Sequence, residues 1–130
     1  MTGTRGLLAL GLILPMLLTG LARRHVVEGR SMLPSFGPGD RVVAERLTYL
    51  RRRPRVRDAI VLRQPGGGGR LDLKRIAAMP AARAIEHGDS PHLAPDDVFV
   101  TGDNLEESTD SRQLGPSKRR DIVGRVWFKY

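Results

Sequence analysis

The chain has no cysteine, which excludes disulfides, thiolate metal sites and a cysteine nucleophile. Aromatic residues make up 5% of it, too few for a platform of stacked nucleobases. Lysine is nearly missing: of 22 basic residues only Lys74, Lys118 and Lys129 are lysines, and the rest are arginine. Beyond residue 25 no stretch keeps an apolar period of 3.6, so no long amphipathic helix is expected there. His25, His87 and His92 have no metal-ligand company, and the run Gly66 to Gly69 lacks the Gly-Lys-Ser/Thr ending of a phosphate loop. Neither a metal nor a cofactor is expected.

At 130 residues with a net charge of +8, the chain has room for one domain and a short appendage. Excess positive charge favours anionic partners. The run Arg51-Arg52-Arg53-Pro54-Arg55-Val56-Arg57 concentrates that charge. With few aromatics and no reader helix, nucleic acid is not expected as a partner. The run reads as a solvated loop able to touch anionic lipid.

Residues Gly6 to Ala22 carry no charge. As a helix they would span about 25 Å, against ~30 Å of hydrocarbon. Three readings compete: a single membrane anchor, a cleaved signal peptide and a buried core helix. Thr19-Gly20-Leu21-Ala22 is a poor cleavage site, and Pro15 with the glycines disfavours a core helix. A single-pass anchor in the cell membrane over residues 1–25 is therefore expected, followed by one folded domain over 26–130. Arg5 flanks one end and Arg23-Arg24 the other, so the side is open; the double arginine favours a cytoplasmic domain.

The remainder reads as short strands with turn punctuation. Val26–Glu28 is a brief extended entry, and Arg41–Glu45 and Ala59–Arg63 are strands. Arg70–Ala78 alternates, with Asp72, Lys74 and Ile76 on one face and Leu71, Leu73 and Arg75 on the other. Arg83–Glu86, Val98–Thr101 and Ile122–Phe128 complete the set. The fold class is all-β, in coiled antiparallel sheets.

Three separated segments carry candidate chemistry. Ser31 sits at a bend before Met32 and Pro34, where its hydroxyl can face a cleft and its amide can hold an oxyanion. Gly29 permits close approach of a substrate strand. Taken alone, Ser31 reads better as an ordinary turn serine. Lys74 lies on an apolar strand. A free lysine, of pKa about 10.4, is neutral in about one molecule in 2,500 at pH 7, and burial raises that fraction. Taken alone, Lys74 reads better as a solvated strand lysine. Ser108 is placed to fix the Lys74 rotamer, with Asp110 and Arg112 as a nearby ion pair. A calcium reading of Asp103, Glu106 and Asp110 fails on glycine and ligand spacing.

Taken in order, the segments resemble the type I signal peptidase family of membrane-bound Ser–Lys peptidases. The match runs through Ser-Met-x-Pro at Ser31–Pro34, Gly-Asp-x-Val at Gly39–Val42 and Lys-Arg-Ile at Lys74–Ile76. It ends in Gly-Asp-Asn, Ser-x-Asp-Ser-Arg and Gly-Pro between Gly102 and Pro116. The resemblance implies Ser31 as nucleophile, Lys74 as base and Ser108 as the hydroxyl that orients it, with Asp110 and Arg112 in support. Gly29, Ser31 and Met32 would flank the oxyanion and the substrate. Gly29 departs from the serine that many bacterial relatives carry there, and Arg57-Asp58 from their Gly-Asp. Ser108–Pro116 and the compact size are similar to a narrower subgroup, the maturation protease of nickel-type superoxide dismutase. The implied substrate is a protein bearing an N-terminal leader or propeptide. A general leader peptidase and an inactive membrane-tethered β scaffold are the alternatives. A self-cleaving repressor would need a DNA-binding domain.

Overall fold

The computed structural model describes residues 3–64, 66–80 and 92–130. Among these, strands β1 (Ala22–Val26), β2 (Arg41–Glu45), β3 (Ala59–Arg63) and β4 (Leu71–Ala78) precede β5 (Asp97–Thr101), β6 (Ser117–Lys118) and β7 (Ile122–Lys129). They form one sheet in the order β1-β2-β7-β3-β4-β5-β6, with every pairing antiparallel. Register shifts in the β2–β7, β3–β7 and β4–β5 pairs add local bend and twist, and the sheet curls. The strand expected at Arg83–Glu86 lies outside the described residues.

Helix α1 covers Gly3–Leu18, α2 covers Leu47–Arg51 and α3 covers Ser111–Leu114. The expected transmembrane helix over Gly6–Ala22 is not found. Helix α1 is 16 residues long, and among the described residues no helix is long and apolar enough to cross a membrane. The physical reason is at its end. Gly20 takes a φ of 73°, and Ala22 is already paired with Glu45 in β1 and buried. The last part of the apolar run belongs to the sheet.

The core explains where chemistry can sit. Ile60 and Leu62 of β3, Ile76 of β4, and Val98 and Val100 of β5 form its buried cluster. Fully burying such side chains contributes roughly 1.5–3 kcal/mol each. Register sets Ile60 opposite Lys74 and Leu62 opposite Asp72. Opposed residues share a face of the sheet, and alternation adds Ile76 and Ala78 to it. Lys74 is thus the last polar residue before the apolar end of its strand face.

Candidate active site

Two loops bring the three segments together. After β1, the amide of Val27 still donates to the Asp40 carbonyl. Gly29, at a φ of 74°, then turns the chain away in a conformation that side-chain-bearing residues rarely adopt. Met32 is buried and anchors the segment. The Ser31 carbonyl accepts from the Asn104 amide at 2.8 Å, the Arg30 carbonyl from Asn104 Nδ2 at 3.1 Å, and Arg30 Nε donates to Glu107 at 2.8 Å. The serine segment is therefore clamped to the loop that leads to Ser108.

Gly102 is the junction. A Cβ there would lie 2.4 Å from both the Ser31 carbonyl oxygen and Ser108 Oγ. No side chain fits between them.

Lys74 is 3% exposed and donates from Nζ to Ser108 Oγ at 3.1 Å. Ser108, also buried, donates from Oγ to Asp110 Oδ2 at 2.7 Å. Asp110 is 1% exposed. Its Oδ2 also accepts from the Gly102 amide at 2.9 Å, and its Oδ1 accepts from Arg112 Nε at 2.9 Å and from the Arg112 amide at 3.1 Å. The Asp110 amide in turn donates to Gln113 Oε1, closing a capping box on α3.

Burial sets the charge states. Desolvation by the core lowers the Lys74 pKa, against a partial upward pull from Asp72 and Asp110. Desolvation pushes Asp110 up, but hydrogen bonds from Arg112, Ser108 and the Gly102 and Arg112 amides outweigh it and hold its carboxyl at about 2. An ionised Asp110 accepts the Ser108 O–H hydrogen bond, so Ser108 offers a lone pair to Lys74. A neutral Lys74 amine then keeps its own lone pair free.

Ser31 and Lys74 line one cleft of about 760 Å³, walled by His25–Ser31 on one side and Arg70–Lys74 on the other. Ser31 is half-buried. Among the described residues no hydrogen bond joins it to Lys74, whose bond goes to Ser108. Arg75 lies on the opposite strand face and is bound by Asp103 through bonds of 2.7 and 2.8 Å, so its charge is engaged away from Lys74.

Sequence reasoning gave no role to Gly102, Asn104, Gln64 or Asp72. Gln64 Nε2 donates to Asp72 Oδ2 at 2.8 Å, and Arg70 Nε donates to Asp72 Oδ1 at 3.2 Å. Alternation along β4 already put Asp72 beside Lys74, and that was the usable signal. The bonds from Asn104 to the serine segment span more than 70 residues and leave no local trace.

The family model described as "Signal peptidase, peptidase S26" matches residues 3–90 and 81–130. The chain is 30% identical to the probable signal peptidase I-1 of Synechocystis, over 95% of this chain and 79% of that protein. It is 33% identical to the mitochondrial ATP-independent inner membrane protease subunit 1a of Arabidopsis thaliana, over 78% of this chain and 68% of that protein. It is 30% identical to the probable thylakoidal processing peptidase 2 of Arabidopsis thaliana, over 86% of this chain. The chain spans 39% of that chloroplast protein's length.

Proposed function

The chain belongs to the signal peptidase family, and from that premise we propose that it is a serine endopeptidase that removes an N-terminal leader or propeptide from a protein substrate. The observation that carries this is the buried Lys74 amine, oriented by Ser108 and opening on the cleft that Ser31 also lines.

In the proposed reaction the neutral Lys74 amine takes the Ser31 hydroxyl proton while Oγ attacks the scissile carbonyl. The Ser31 amide faces the developing oxyanion, because Gly29 supplies no hydroxyl there. The Lys74 ammonium returns the proton to the leaving amine. Lys74 then deprotonates water, which attacks the acyl ester and frees Ser31. Ser108, Asp110 and Arg112 position the lysine.

Substrate would bind as an extended strand. Among the described residues β1 pairs with β2 on one side only, and β4 pairs with β5 only from Arg75 onward, which leaves Leu71–Lys74 a free backbone edge. Both edges border the cleft. The proposal places the protein at the cell membrane, with the apolar helix α1 and the arginines around it against lipid.

Maturation of a nickel-type superoxide dismutase is the narrower version and rests on sequence resemblance, chiefly that of Ser108–Pro116. Its propeptide is one precursor to test beside export leaders. The deciding experiment is co-expression with tagged precursors, with their new N-termini read by mass spectrometry. One defined N-terminus is expected with the wild type and none with Ser31→Ala or Lys74→Ala. Processing retained in either variant overturns the assignment of roles.

A further inference from the structure

The face of β4 that carries Lys74 changes character along its length. Asp72 occupies its open end, with Arg70 just before the strand, Ile76 and Ala78 its buried end, and Lys74 the boundary. A carboxylate two residues from a buried amine on one strand face is a natural ion-pair partner. Such a pair would fix the amine as ammonium and remove it as a base.

The structure shows the carboxylate occupied elsewhere. Asp72 Oδ1 accepts from Arg70 Nε, and Oδ2 accepts from Nε2 of Gln64, the residue that follows β3. Among the described residues Lys74 has no ion pair, and its hydrogen bond goes to Ser108. We propose that Gln64 and Arg70 form a clamp that holds Asp72 off Lys74, which makes Asp72, Gln64 and Arg70 positioning residues for the lysine. The inference rests on reading Lys74 as the base.

Among the described residues, the other charges near Lys74 are bonded elsewhere or stand across the cleft. From α3 come Asp110 and Arg112, which are bonded to each other. Across the cleft stand His25, Glu28, Arg30 and Glu107, the last two paired. Asp72 favours the ammonium and Arg70 opposes it, both through space.

Gln64 gives the sharpest test, because removing it changes no charge. The chain has three lysines, so ¹³C labelling at lysine Cε gives few signals, and Lys74 is assigned by its loss in Lys74→Met. Titration of the full chain is followed in wild type, Gln64→Ala, Asp72→Asn and the double variant. Gln64→Ala should move the Lys74 midpoint up, by freeing Asp72 to pair with it. Asp72→Asn should move it down. The double variant should lose the upward shift. A Gln64→Ala midpoint at or below the wild-type value overturns the clamp, as does an upward shift that survives in the double variant. Arg70→Gln, at an exposed position, should shift the midpoint up as well; a downward or absent shift counts against the clamp. None of these readouts needs proteolysis. A wild type that cleaves no precursor would remove the peptidase reading while the titrations still judge the clamp.

Discussion

Lys74 Nζ stands 3.1 Å from Ser108 Oγ, and that hydroxyl donates its own hydrogen bond to Asp110 at 2.7 Å. The chain of bonds has one polarity. Asp110 is ionised, Ser108 must donate to it, and Lys74 must therefore donate to Ser108. The lysine is aimed by a group that does not take its lone pair.

Ser108→Ala removes the aim and leaves the amine. A small misplacement of a reacting group can cost about a hundredfold in rate. A fall in kcat of tens to about a hundredfold is expected, with KM little changed, in steady-state cleavage of an identified precursor. An unchanged kcat would show that Lys74 needs no orienting hydroxyl.

Gly102→Ala puts a methyl group 2.4 Å from the Ser31 carbonyl and from Ser108 Oγ. One neighbour is backbone and the other is buried, so neither moves freely. Overpacking of this kind costs about 1–3 kcal/mol. Urea unfolding should show that loss, together with a loss of cleavage. A variant as stable and as active as wild type would contradict the tight junction.

Lys74→Met should stabilise the fold while abolishing cleavage. The folded Lys74 has a pKa below its ordinary 10.5 because burial disfavours the ammonium. Between those two values the unfolded chain binds more protons, so stability rises with pH across that window. Below the lowered value the full cost is present, and methionine of similar volume carries none of it. Equilibrium unfolding at neutral pH and near pH 10 should show the gain shrinking at the higher pH. A destabilised Lys74→Met would contradict the desolvated-amine picture.

Asp110→Asn tests the opposite sign. Asp110 is held at about 2 against an ordinary 3.8, so it contributes stability above about pH 4 that is lost as pH falls through 2. That shift corresponds to about 2 kcal/mol at neutral pH. Unfolding from pH 2 to 7 should show a wild-type advantage that appears across this acid range. No difference between the proteins at pH 7 would contradict the bonded carboxylate.

Much of this was legible in the residues, for identifiable reasons. β2 and β3 are β-branched runs bounded by turn residues, and they form with the expected bounds. Period-two alternation in β4 put Lys74 and Ile76 on one face, and both are buried. The end of the apolar run was misread because charge alone was followed there. Gly20 ends the helix, and the β1–β2 pairing recruits Ala22, a non-local contact. Helices α2 and α3 are five and four residues long, too short for periodicity to show. The Gln64–Asp72–Arg70 cluster joins side chains from both arms of the β3–β4 hairpin, and strand register, not composition, decides which of them meet.

The pH dependence of kcat/KM for an identified precursor probes the buried amine most directly. The rate should climb with pH as Lys74 loses its proton, with the midpoint below the 10.5 of an ordinary lysine. A rate that ignores pH across that range, or climbs only at the free-lysine value, would mean that Lys74 is not the base.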